Sequence, residues 1–230
     1  MDHLAVIPDG GGRWATARKL PHVNGYLYGM RAVSDVIDAA DELKIGCVSF
    51  YVSSMENYKR GDSLILALSS VYVDYIVKTL LPVSIARNYK LFFVGDYARL
   101  TPELMSCISR ANAATINNTG MTVAFVFAYN GMEEVTKAFN YVFKQKLINA
   151  NYTEATIAEV EPYMYSASLP PVDAVLRYGN CRRLSGFLPF RCTYAELFFS
   201  EKLFPDADKG DIYDLVKEYK KIKRNFGDLR

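Results

Sequence analysis

The chain has 230 residues, half of them hydrophobic and 23% charged, which is enough apolar side chain for one substantial core and predicts a single domain over residues 1–230. A formal net charge of +2 is too small for a nucleic-acid-binding surface, so basic side chains are left to act in local clusters on small anions. Four cysteines, Cys47, Cys107, Cys181 and Cys192, show no C-x-x-C spacing and read as reduced thiols of a soluble, cytoplasmic protein.

No signal peptide is visible, because the first apolar stretch is short and runs directly into glycines. The abrupt start leaves room for a removed transit peptide, which would place the protein in the plastid stroma. Leu4–Pro8 reads as a strand, and Leu27, Met30, Val33, Val36, Ile37, Ala40 and Leu43 recur at helical spacing. A strand is expected at Cys47–Ser53 and a long apolar helix at Asp62–Leu81. The surrounding apolar stretch, Leu64 to Ala86, carries Asp74, Lys78 and Pro82 and so predicts a buried helix rather than a transmembrane segment.

Lys90–Val94 reads as the next strand, stopped by Gly95-Asp96. Thr101 followed by Pro102 is a cap with proline at the first helical position, opening a helix that runs to about Asn117. Met121–Ala128 is an apolar run of strand length, Met132–Leu147 returns to helical periodicity, Ala174–Arg177 reads as a strand, and a last helix spans about Ile212 to Lys223. This alternation predicts an α/β fold: a mostly parallel central sheet flanked by helices, with ligands at the carboxyl ends of the strands.

Four polar clusters are expected at strand ends. Asp9-Gly10-Gly11-Gly12-Arg13-Trp14 joins a carboxylate able to hold a divalent cation to glycines whose N–H groups can approach a phosphate, and to a permanently charged guanidinium. Ser54, Asn57 and Arg60 follow the second strand. Arg177, Arg183 and Ser185 lie in an arginine-rich turn, in which Arg182 reads as a solvated neighbour. Glu196 stands between apolar residues, as a metal ligand or as a structural acceptor for a buried arginine. Together the arginines, hydroxyls and two carboxylates point to a diphosphate substrate with Mg²⁺. Trp14 is grouped with the substrate-binding residues, with packing beside the loop as its other reading.

The clusters resemble the motifs of the cis-prenyltransferase family, which includes undecaprenyl diphosphate synthase. His3–Trp14 is similar to H-x-A-x-I-x-D-G-N-G-R-W, Val52–Gly61 to F-S-x-E-N-W-x-R-P, Arg177–Phe187 to R-T-G-G-E-x-R-x-S-N-F, and Tyr194–Phe199 to Y-x-E-L-x-F. The resemblance implies that Asp9 binds Mg²⁺ and orients an allylic diphosphate held by Gly10, Gly12 and Arg13. It implies that Arg177, Arg183 and Ser185 hold a second diphosphate, that Ser54, Asn57 and Arg60 border the two sites, and that Glu196 supports the metal or Asp9. A homodimer is implied too, its C-terminal segment completing the neighbouring site.

Departures from the pattern fall on functional positions. Gly11 replaces an asparagine, His22 an arginine, Tyr26 a histidine, and Gly186 another asparagine. These changes resemble the lavandulyl-type branch, which couples two dimethylallyl diphosphates head to middle. In that setting Tyr26, with His22, is expected to reshape the proton path. Regular elongation with isopentenyl diphosphate and a non-catalytic partner subunit are the alternatives. Phe125, Phe127, Tyr72 and Tyr75 either cap the product channel or face the general core.

Overall fold

The computed structural model describes residues 1–54, 62–149 and 153–224. Within them, β1 (His3–Ile7), β2 (Cys47–Tyr51), β3 (Lys90–Gly95), β4 (Thr122–Phe127), β5 (Ala174–Arg177) and β6 (Glu196–Phe199) form one sheet in the spatial order β3-β4-β2-β1-β5-β6. Every pairing is parallel. The helices are α1 (Gly11–Ala17), α2 (His22–Glu42), α3 (Asp62–Tyr75), α4 (Leu81–Ala86), α5 (Pro102–Thr115), α6 (Gly131–Ile148), α7 (Ile157–Val160) and α8 (Lys209–Tyr219).

Both faces of the sheet are buried at β1, β2, β4 and β5, so these strands are largely apolar rather than alternating, whereas the edge strand β6 alternates. Leu4 and Val6 of β1 pack into a core with α2, α3 and α5, through Val33, Val36, Tyr72 and Leu104. Ala5 and Ile7 point the other way, against Tyr51, Tyr129, Leu169 and Phe187. At the start of β1 a buried His3 ties the sheet to the chain around it. Its Nδ1 donates to Pro170 O (2.9 Å), which leaves Nε2 to accept from Ser49 Oγ (2.8 Å). Burial pushes the imidazole pKa down to about 4, with the Pro170 carbonyl opposing the shift.

Strands β1 to β5 match the expected ones within two residues at each end, and β6 was not expected. The long apolar helix extends past Leu81: α3 passes through a π-helical turn, Ile76–Leu80, into α4. Pro82 lacks the N–H that regular α-helix would donate, and the widened turn accommodates it. By length and composition Ile65–Ala86 could cross a membrane. Here its Leu68, Tyr72, Tyr75, Ile76 and Leu80 are buried in the core. The last helix starts three residues earlier than expected and ends four earlier, because Asp208 and Asp211 form a capping box at its start. All four cysteines are free, and Cys47, Cys107 and Cys192 are buried.

The order in which strands are added to the sheet switches sides at β1. Its neighbour on one side is β2, reached through α2, and on the other β5, reached only after β4. A crevice therefore opens at the carboxyl ends of β1 and β5, where an open α/β sheet receives its ligand.

Candidate active site

Ile7 pairs with Arg177 in register, so the residues leaving β1 meet the last residue of β5. Asp9 lies two residues beyond Ile7 and accepts from both sides of the crevice. Arg177 Nη2 donates to Asp9 Oδ2 (2.8 Å), and Arg13 Nη2 donates to Asp9 Oδ1 (3.1 Å). Burial pushes the Asp9 pKa up, but the Arg177 and Arg13 guanidinium groups outweigh it and hold the carboxyl below the usual carboxylate range. Asp9 is thus an anion near neutral pH, flanked by two permanent cations.

The glycine run is the first turn of a helix rather than a free loop. Gly10, in left-handed conformation, is the N-cap of α1 and supplies no side-chain cap, so the N–H groups of Gly11 and Gly12 stay open to the cleft they line. A Cβ on Gly12 would meet nothing within 4 Å. Gly25 is where α1 and α2 touch backbone to backbone, since a Cβ there would lie 2.0 Å from Gly11 O. Trp14 faces away from the cleft: Nε1 donates to Asp206 Oδ1 (2.6 Å), the Arg18 guanidinium covers its ring at 4.1 Å, and Tyr28 lies 4.7 Å away. The substrate-binding expectation for Trp14 is corrected accordingly. The ring is buried because it bolts α1 to α2 and to the 3₁₀ turn Phe204–Asp206.

Arg177, 4% exposed, organises the opposite wall. Its Nη1 donates to Arg183 O (2.5 Å) and Ser185 Oγ (2.7 Å), while Nε is buried without a partner among the described residues. Arg13 Nη1 donates to Gly179 O (2.8 Å), joining α1 to the same turn. Arg183 and Ser185 are exposed and line the cleft, whereas Arg182 is exposed and stands outside its lining, as expected of a solvated neighbour.

The cleft has a volume of about 1370 Å³. His22, whose Nε2 lies 3.2 Å from Thr16 Oγ1, and Tyr26 line it from α2, and Ser54 from the end of β2. Asn57 and Arg60 lie outside the described residues. Val33, Phe50, Val52 and Tyr72 line the apolar part. Phe125 and Phe127 do not reach the cleft: they pack behind it, Phe125 stacked on Phe50 at 5.4 Å and Phe127 edge-on to Tyr72 at 5.2 Å. Tyr75 is likewise core, its hydroxyl 3.0 Å from Ser34 Oγ. Of the two readings left open for these four aromatics, the core reading holds for Phe125, Phe127 and Tyr75, and Tyr72 lines the cleft.

Glu196 does not join Asp9 within one chain. It opens β6 rather than ending it, paired with Ala174, three residues before the Arg177 level, or roughly 10 Å along the sheet. Sequence reasoning passed over Tyr51 and Asn130, both of which line the cleft. The signal for Asn130 was present: an asparagine after a strand and before Gly131 is a helix-cap pattern at a strand's carboxyl end.

Among the described residues no group of three or more His, Cys, Asp or Glu could enclose a metal ion. Asp9 alone, with two lone-pair positions left beyond its arginine bonds, suits a hard divalent cation that takes one carboxylate and completes its shell with phosphate oxygens and water.

Comparison with known proteins shows the family and the fold. A family model described as "Putative undecaprenyl diphosphate synthase" matches residues 7–227. The isoprenyl transferase of Staphylococcus saprophyticus is 31% identical over 99% of this chain and 90% of its own length. That of Leptospira interrogans is 34% identical over 99% and 95%. Lavandulyl diphosphate synthase from Lavandula x intermedia, solved in complex with dimethylallyl diphosphate, superposes with a TM-score of 0.93 at 25% identity, over 99% of this chain and 98% of its own. A probable undecaprenyl diphosphate synthase from Campylobacter jejuni gives 0.80 at 26% identity, over 99% of each. With its carboxylate and arginines gathered at the crevice of a parallel sheet, the chain belongs to the undecaprenyl diphosphate synthase family of prenyltransferases.

Proposed function

We propose that this prenyltransferase couples two molecules of dimethylallyl diphosphate head to middle, releasing diphosphate and a branched C10 diphosphate. The observation that carries the reading is one cleft lined on one wall by Asp9 and Arg13 and on the other by Arg177 and Arg183, with an apolar part that Phe50 and Tyr72 line, each backed by a buried phenylalanine. Such a cleft suits two C5 chains better than a growing polymer. The structural likeness to a lavandulyl diphosphate synthase and the glycine at position 11 support the same reading.

In the proposed mechanism the Gly11 and Gly12 N–H groups and Arg13 hold the allylic diphosphate, and Asp9 orients it. Asp9 would hold Mg²⁺, which when bound would supply further positive charge for the departing oxygens. Breaking the C1–O bond leaves a delocalised cation, and Phe50, Tyr72 and Val33 keep water from it. Arg183 and Ser185 hold the second dimethylallyl diphosphate so that its C2 attacks C1 of the first. The resulting tertiary cation loses a methyl proton to the departing diphosphate, along a path bordered by Tyr26 and His22. Asn57 and Arg60 keep their proposed roles at the border between the two sites. Since Glu196 is remote from Asp9 within its own chain, its metal-supporting role requires the proposed homodimer. Free cysteines accord with a reducing, cytosol-like compartment.

Incubation with dimethylallyl diphosphate and Mg²⁺ alone, followed by dephosphorylation, should yield a branched C10 alcohol and none when the metal is chelated. Turnover only after isopentenyl diphosphate is added would establish regular elongation instead. No turnover with any substrate pair would indicate a non-catalytic partner subunit.

A further inference from the structure

We propose that Asn130 is a substrate-contacting residue, its side-chain amide donating to the diphosphate held at Arg183 and Ser185; this rests on the functional reading above. Asn130 is the N-cap of α6. Its Oδ1 accepts from Met132 N (2.9 Å) and Glu133 N (3.3 Å), which fixes the amide so that Nδ2 points away from the helix. Asn130 lines the cleft, and among the described residues Nδ2 has no protein partner. A Cβ built on Gly186 would lie 3.8 Å from that nitrogen, so the donor sits over the turn that carries Ser185.

The surroundings hold this juxtaposition rigidly. Gly131 N donates to Gly186 O (3.0 Å), and only glycine fits at 131, where a Cβ would come within 2.1 Å of Pro189. Tyr51 Oη bridges the two segments, its single proton shared between Tyr129 O (2.9 Å) and the more distant Ser185 O (3.3 Å), and its ring stacks on Phe187 at 4.8 Å. Arg177 pins Ser185 from behind. A donor pre-set in this way, in a cleft that Arg183 and Ser185 also line, is suited to a phosphate oxygen and costs little reorganisation on binding.

Asn130→Asp separates contact from capping, because aspartate caps as well as asparagine but presents an oxygen where the donor was. The probe is dimethylallyl thiolodiphosphate, which does not ionise, titrated calorimetrically with Mg²⁺ into the wild type, Asn130→Asp and Arg183→Ala. Asn130→Asp should retain the wild-type melting temperature and weaken the Arg183-dependent binding event by about ten- to hundredfold, the range for a hydrogen bond to a charged group. Wild-type affinity in Asn130→Asp, with Arg183→Ala impaired, would overturn the role of Asn130 and leave the functional reading standing. Absence of any Arg183-dependent event in the wild type would overturn both. If Asn130→Asp does not fold, Asn130→Ser, which keeps a capping oxygen and removes the amide, decides on the same criteria.

Discussion

Asp9 is held as an anion by two arginines that also hold the cleft walls, so its charge serves structure and chemistry together. Replacing it with alanine would remove the charge and also leave Nη2 of the buried Arg177 without its acceptor, whereas asparagine removes the charge but keeps the shape and one acceptor oxygen, which makes it the cleaner test. Asp9→Asn should keep the fold, read by circular dichroism, and lower kcat by at least about a hundredfold, the scale on which loss of one charge-stabilising group acts; near-wild-type turnover would contradict the assignment. His3 makes a separate prediction about stability. Its folded pKa, about 4, lies below the ordinary value of 6.5, so the unfolded chain binds more protons between the two. Stability is full above pH 6.5 and is lost as pH falls toward 4, by on the order of 3 kcal/mol. Thermal unfolding of the wild type and His3→Gln across that window should show the slope in the first and a flatter dependence in the second.

At the scale of elements, the site depends on how α1 is seated. Trp14, Arg18 and Asp206 fix its outer side, and the Gly11–Gly25 backbone contact fixes its inner side. Gly25→Ala must push α1 off α2, and should cost about 1–3 kcal/mol in denaturant unfolding, as overpacking does, together with a raised KM for the allylic diphosphate. An unchanged KM would mean that α1 is not the diphosphate wall. This seating was only partly legible in the sequence. The periodicity of α2 and α5 and the apolar runs of β1, β4 and β5 exposed those elements, because each buries a full face. A three-glycine run looks like a turn, and α1 became recognisable only through the backbone contact with α2. Strand β6 has four residues and one solvated face, too little pattern to reveal that Glu196 begins it and so lies at the end remote from Asp9. Nor does periodicity tell which buried aromatics line a cavity: Phe125 and Phe127 face the core, and Phe50 on β2 lines the cleft in front of Phe125.

For the whole molecule, the crevice beside β1 brings residues from positions 9 to 13, 22 to 54, 130 and 177 to 186 to one cleft, which explains why no single motif discloses the substrate. On the proposed function, chain length is set by the apolar part that Phe50 and Tyr72 line. Phe50→Ala leaves Phe125 behind an enlarged cavity and should permit C15 or longer products when isopentenyl diphosphate is supplied, with dimethylallyl self-coupling reduced; an unchanged product spectrum by mass spectrometry would show that Phe50 does not set the limit. The direct test of head-to-middle coupling is carbon connectivity. Dimethylallyl diphosphate labelled with ¹³C at C1 and C2 is supplied with equimolar unlabelled isopentenyl diphosphate, and one-bond ¹³C–¹³C couplings are read in the product. The account predicts an unbroken run of four labelled carbons, the C1 of one unit bonded to the C2 of the other. A labelled C1 coupled only to its own C2 and attached to an unlabelled C5 unit would contradict it.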